Sequence, residues 1–268
     1  PLRQRKEPMI RRALLALTGL LATPFAAPPA RAQDAPLVVA AASDLQFALA
    51  EIAARFRADT GREVRLSFGS SGNFARQIEQ GAPFQLFLSA DEGFVRRLQE
   101  RGLTSGEGDL YAIGRIGLFA PHGSALDPTR GFGGLRDALA AGAVRRFAIA
   151  NPEHAPYGRA AEEALRHEGL WEAVRPHLVL GENVSQATQY AASGNAQGGI
   201  VPLSLSLAPE VARLGRFALL PAEWHEPLRQ RMALLRGAGD TARAFHAYLQ
   251  DRPAREVFVR FGFTLPGE

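Results

Sequence analysis

Cysteine is absent from all 268 residues. Disulfides are therefore excluded, and so are thiolate catalysis and any metal site that needs cysteine ligands. Lysine is almost as scarce, since Lys6 stands alone and every other basic side chain is arginine. Two tryptophans, Trp171 and Trp224, are too few for a sugar-stacking groove. No GxSxG and no phosphate-binding GxxxxGK[ST] motif is found, so hydrolase and nucleotide-binding readings have no motif behind them. The six histidines (His122, His154, His167, His177, His225, His246) are scattered without HExxH spacing and read as surface or loop residues.

Excess charge of one sign is also missing once the chain is divided. Residues 1–32 carry Arg3, Arg5, Lys6, Arg11, Arg12 and Arg31 against Glu7 alone. The rest of the chain keeps 25 of the 31 basic and 26 of the 27 acidic side chains, a formal charge of −1 against +4 for the whole. A basic nucleic-acid footprint is not supported.

What is present begins with a leader. Arg11 and Arg12 precede an apolar stretch, Ala13 to Ala27, and Ala30-Arg31-Ala32 offers small residues at the two positions a signal peptidase reads. This order predicts a secretory signal over 1–32, with cleavage before Gln33 and Met9 as a candidate initiator. The apolar run is short and broken by Pro24, unlike a membrane span. With no cysteine after the signal, the exported chain is expected to be soluble, not lipid-anchored.

Beyond residue 32 short apolar runs alternate with helical periods. Strands are expected at 37–42, 64–68 and 84–89, with helices at 45–58, 74–80 and 92–101, which is the β-α-β signature of a parallel sheet flanked by helices. From Ile113 a second series follows. Its strands are expected at 116–120, 147–150, 178–180 and 198–202, and its helices from Leu135, at 158–167 and at 185–192. A Gly/Pro-rich loop fills 121–134. A strand at 232–235 and helices at 241–249 and 254–261 close the chain. The expected fold class is α/β with two lobes, each a mostly parallel sheet: 33–115, then 116–225, then a return to the first lobe over 226–268.

Four strand-to-helix junctions could carry chemistry. They are Ala40 to Asp44, Phe68 to Asn73, Asn151 to Gly158, and Gly181 to Ser185. Such junctions lie at the carboxyl ends of parallel strands, where ligands bind open α/β sheets. Each helix start has unpaired amide hydrogens and a partial positive charge. Converging in one cleft, they would cage an anion without Arg or Lys, with Ser43 and Ser71 adding hydroxyl donors. The plain alternative is that each Ser, Asn or Asp is only a helix cap, worth ~1 kcal/mol. Adjacent Ser43 and Asp44 likewise read as a cap rather than as two members of a nucleophilic triad. By pattern alone the chain is a two-lobed binder of an anion or small ligand.

The junctions also resemble those of the periplasmic molybdate-binding proteins, the solute-binding components of molybdate ABC importers. The resemblance is carried in order by Val39 to Ser43, Phe68 to Ser71, Ala75 to Glu79, Gly81-Ala82-Pro83, Phe87 to Asp91, Asn151 to Gly158, Gly199-Ile200-Val201 and Phe258 to Phe263. It implies the two-lobed type II periplasmic-binding-protein fold, a molybdate or tungstate ligand, an importer permease as partner, a monomer, and no catalysis or cofactor. It also implies oxyanion binding by hydroxyls at Ser43 and Ser71 and amides at Tyr157 and Val184. Molybdenum would be held only as its oxyanion, with no residue bonded to the metal. The family commonly adds a tyrosine near Gly199-Ile200-Val201-Pro202. This chain has Pro202 there, and Ser204, Ser206 or the Tyr157 phenol are the candidates to replace it.

The mechanism expected is hinge closure over the desolvated anion. A donor-only cage should reject protonated oxyanions such as hydrogen phosphate, which need an acceptor. Two competing readings are the same fold tuned to sulfate or another tetrahedral oxyanion, and a secreted α/β enzyme.

Overall fold

A computed structural model describes residues 37–267, so the leader expected over 1–32 lies outside the described residues. The chain opens with β1 (Leu37–Ala42), whose six residues are apolar and almost wholly buried, as a strand covered on both faces requires. One 3-10 turn, Ser43–Leu45, leads into α1 (Gln46–Thr60), which ends at Gly61 in the left-handed conformation (φ 71°). Then come β2 (Val64–Gly69), α2 (Ser71–Glu79), β3 (Leu86–Ser89) and α3 (Glu92–Glu100). Asp91 caps α3, its carboxylate accepting from the amides of Gly93 at 2.6 Å and Phe94 at 3.3 Å. After β4 (Asp109–Gly114), Arg115 alone separates it from β5 (Ile116–Pro121).

The second series is α4 (Gly131–Ala140), β6 (Phe147–Ala150), α5 (Pro156–His167), α6 (Trp171–Val174), β7 (Leu178–Gly181) and α7 (Val184–Ala192). It continues through β8 (Gly198–Pro202), α8 (Leu203–Ser206), α9 (Pro209–Ala212) and β9 (Gly215–Leu219). Residues 220–227 then lead to β10 (Leu228–Leu234), α10 (Asp240–Tyr248) and α11 (Arg252–Arg260).

Two five-stranded sheets result, in the orders β2-β1-β3-β10-β4 and β7-β6-β8-β5-β9. In each, three adjacent strands are parallel, the fourth runs against them and the fifth reverses again, so four strands share one direction. The chain crosses between sheets twice, at Arg115 and over 220–227.

Alternation along the central strands feeds a core on each face. In the first sheet Val39, Ala41, Leu86, Leu88 and Met232 face one apolar cluster, while Ala40, Phe87 and Ala233 face another. In the second, Leu118, Phe147, Ile149 and Ile200 face one cluster, and Phe119, Ala148 and Val201 the other. Burying the Val, Leu, Ile, Phe and Met side chains among these contributes roughly 1.5–3 kcal/mol each.

Several elements differ from the sequence reading. β4 and β9 are edge strands that periodicity did not single out, β9 because its GRFAL run is only partly covered. β10 begins four residues early, at Leu228, since Arg229 and Arg231 interrupt its apolar pattern and its register shifts between Gln230 and Arg231. The loop expected over 121–134 already contains the start of α4 at Gly131.

Candidate functional site

Each of the four junctions delivers a helix start to the space between the lobes. Ser43 opens the 3-10 turn after β1, and Ser71 is the first residue of α2 after β2. Tyr157 follows Pro156 at the start of α5, where proline's missing N–H costs nothing. Val184 begins α7, whose cap Asn183 accepts from the Gln186 amide at 3.1 Å. Gly158 lets α5 start so close to its strand, because a β-carbon there would lie 2.3 Å from the Ala150 carbonyl oxygen.

Ser43, Ser71, Tyr157 and Val184 are all buried, and all line one small cavity. No Arg, Lys or His side chain lies in this lining among the described residues.

The donor sense of both hydroxyls is set by their neighbours. Ser71 Oγ accepts the Ala90 amide hydrogen at 3.0 Å, and Ser43 Oγ accepts that of Ser185 at 3.2 Å. With a lone pair engaged, each hydroxyl has its own proton left to donate. The first-turn amides of Tyr157 and Val184 have no acceptor within their helices. The arrangement can hold a desolvated anion by neutral donors.

The lobes are shut over this cavity. The Gly72 amide donates to the His154 carbonyl oxygen at 2.9 Å, and His154 Nδ1 lies 2.9 Å from Ser70 Oγ. Ser185 Oγ donates to Gln46 Oε1 at 2.6 Å. Asn73 bonds Glu182, and Arg159 pairs with Asp91. His154 is thus buried between the lobes, and His225 is buried too; both are loop residues, one of the two places the scattered spacing suggested, although neither is exposed.

Three suggestions for replacing the family tyrosine are corrected. Pro202 only caps α8, Ser204 Oγ donates to the Asp44 carbonyl oxygen at 2.8 Å, and Ser206 Oγ donates to that of Pro202 at 2.9 Å. Neither serine lines the cavity. The Tyr157 phenol is spent on Asp44 Oδ2, at 3.0 Å.

Asp44 makes the lining more than a set of donors. It is buried, lines the cavity, and also accepts from Gln230 Nε2 at 2.6 Å through Oδ2. Tyr111 donates to Gln230 Oε1 at 2.7 Å, which completes a network the sequence reading missed. Its signal was Gln230, a polar residue in step with buried Leu228 and Met232 on β10. Burial pushes the Asp44 carboxyl up to about 6 despite the Gln230 and Tyr157 hydrogen bonds, which act to lower it. Burial, then the Asp44 charge, pushes Tyr111 and Tyr157 well above the usual phenol range, so both remain donors.

Two α/β lobes, crossed twice by the chain and shut over a cavity ringed by helix starts, define a two-lobed solute receptor. Comparison with known proteins narrows that class. A profile of the bacterial extracellular solute-binding proteins matches residues 37–264. The molybdate-binding protein ModA of Azotobacter vinelandii is 36% identical over 237 residues, covering 87% of this chain and 92% of that protein. Its counterpart from Rhodobacter capsulatus is 34% identical over 253 residues, covering 93% and 94%. The solved structure of the Azotobacter vinelandii periplasmic molybdate-binding protein superposes with a TM-score of 0.78 at 30% identity, covering 86% of this chain and 99% of that one. The chain belongs to the bacterial extracellular solute-binding proteins and, within them, to the family of the molybdate-binding proteins.

Proposed function

We propose that this chain captures molybdate, or its congener tungstate, between its lobes outside the cytoplasmic membrane and delivers it to the permease of an ABC importer. The observation that carries this reading is the cation-free cavity at four helix starts, with Ser43 and Ser71 oriented to donate. The relatives named for molybdate binding support the choice of ion. In this reading Ser43, Ser71 and the amides of Tyr157 and Val184 hold the oxyanion, and the chain turns nothing over. It works as a monomer in the periplasm once the segment 1–32 has been removed. The lobes are 33–115 with 226–268, and 116–225. No described helix is long and apolar enough to cross a membrane.

Neutral donors suit reversible release, because a buried arginine pair would hold a dianion back at the transporter. Size sets selectivity: sulfate is smaller and leaves donors stretched. A thermal-shift panel of molybdate, tungstate, sulfate and phosphate tests the choice. Molybdate and tungstate should raise the melting temperature most. A larger shift with sulfate would replace the ion and keep the class, and no shift with any oxyanion would sink the class. The folded Ser43→Ala/Ser71→Ala double variant should lose most of its affinity for molybdate by calorimetry.

A further inference from the structure

A buried carboxylate is an odd wall for an anion cavity. Asp44 is 1% exposed and lines the cavity. No Arg or His pairs with it among the described residues, so an ionised Asp44 would meet a bound dianion unscreened. Two unit like charges roughly 4 Å apart at an effective dielectric of ~20 weaken association on the order of a thousandfold, and a dianion is repelled more strongly still.

The surrounding hydrogen bonds say where a proton would sit. Tyr111 donates to Gln230 Oε1, which fixes that amide so that Nε2 faces Asp44. Oδ2 therefore receives two donors, Gln230 Nε2 and the Tyr157 hydroxyl. Oδ1 is buried and accepts from no other residue among the described residues, only the Asp44 backbone amide lying near the carboxyl. A carboxyl proton finds no room on Oδ2 and belongs on Oδ1. There it would convert a buried, unpartnered acceptor into another neutral donor.

We propose that Asp44 belongs to the anion-binding set and acts as a neutral carboxylic acid, donating through Oδ1 to an anion oxygen, so that each captured dianion brings one proton from solvent. The proposal rests on the oxyanion reading of the cavity. The step balances simply: carboxylate, solvent proton and dianion become carboxylic acid and bound dianion, and no bond of the anion breaks. The raised affinity of Asp44 for its proton, a consequence of burial, has the required direction.

Other titratable groups are otherwise engaged. On α1, Glu51 pairs with Arg55 and Arg260. On β2, Arg65 is exposed at the end of the strand remote from Gly69, and α8 has no titratable residue. On α7, Tyr190 lies nearly two turns beyond Val184. On α5, Arg159 pairs with Asp91, and on β10 Arg229 and Arg231 pair with Glu92. In the loop before α5, His154 bonds Ser70 and faces Glu182, outside the Asp44 network, which among these elements and β4 takes in only Tyr111 and Tyr157.

The test is titration calorimetry of the full chain with sodium molybdate, from about pH 6.5 to 8.5, in buffers of contrasting ionisation heat. Molybdate remains a dianion there, so any linked proton belongs to the protein. Uptake approaching one proton per anion is expected, with affinity falling about tenfold per pH unit at the upper end. Asp44→Asn, which presents an N–H donor in place of the acid, should bind without proton uptake and with a flat pH profile. Tight wild-type binding with no proton uptake overturns the proposal and leaves the oxyanion reading standing. Loss of binding in a folded Asp44→Asn variant also overturns it. No binding of molybdate, tungstate or sulfate by the wild type at any of these pH values would instead overturn the site itself.

Discussion

Gly72 lies on α2 where that helix meets the second lobe, and a β-carbon built there would sit 2.7 Å from the His154 carbonyl oxygen and 3.0 Å from its Cα. Both are backbone atoms, which cannot swing aside as a flexible side chain would. The Gly72 backbone is not in the left-handed region, so alanine fits the helix itself and favours it by up to ~1 kcal/mol. The conflict exists only when the lobes are shut. Overpacking of this kind costs about 1–3 kcal/mol. Stretching the 2.9 Å Gly72–His154 hydrogen bond adds about 1 kcal/mol. Closure of Gly72→Ala is thus disfavoured by roughly 2–4 kcal/mol, which reduces the closed population and weakens apparent affinity on the order of 30- to 1,000-fold. The assay pairs molybdate calorimetry with ligand-free thermal melting. Affinity should fall while the ligand-free melting temperature holds or rises slightly. An affinity within threefold of wild type would mean that the bound form does not bring Gly72 against His154. A lower ligand-free melting temperature would mean that the contact serves folding and not closure.

The two serines should separate by the same logic. Ser71→Ala strands the Ala90 amide inside its own lobe, at about 1–3 kcal/mol, and should lower the ligand-free melting temperature by roughly 2–10 °C. Ser43→Ala strands an amide of the opposite lobe, which water reaches on opening, so ligand-free melting should not move although affinity drops. Equal melting shifts would refute this division. Arg159→Gln removes the partly exposed pair with Asp91 across the lobes, worth ~0.2–1 kcal/mol. Molybdate release measured by stopped flow should quicken about 1.5- to 5-fold at low salt, and the difference should vanish at high salt.

The strands of both parallel cores were legible because burial on two faces leaves continuous apolar runs, as at Leu37–Ala42 and Phe147–Ala150. Two of the helices that open at the cavity start earlier than periodicity predicts. α2 begins at Ser71 and not Phe74, and α5 at Pro156 and not Gly158. Periodicity reports the residues that pack on the core, whereas the first turn of each helix faces the cleft and has no core pattern to read. The four cavity positions nevertheless followed from junction order and family resemblance, and the structure gathers them around one space. The Asp44–Gln230–Tyr111 network was not legible as a unit. Its members are spread over positions 44, 111 and 230, and only the pairing of β10 with β3 and β4 brings them together. The burial of His154, a loop residue, is not legible for a related reason, since the opposite lobe packs against it through Ser70.

The Ser43 hydroxyl accepts its fixing hydrogen bond from Ser185, in the other lobe. Its orientation is therefore conditional on the same event that seals the cavity. An ion large enough to hold the lobes ajar by a few tenths of an ångström would lose the contacts it blocks, and would also face a hydroxyl free to turn towards water. One geometric mismatch is then counted twice. Discrimination between ions of similar charge and shape can become steeper than the difference in their radii alone would give, and it requires no contact that the preferred ion does not already make.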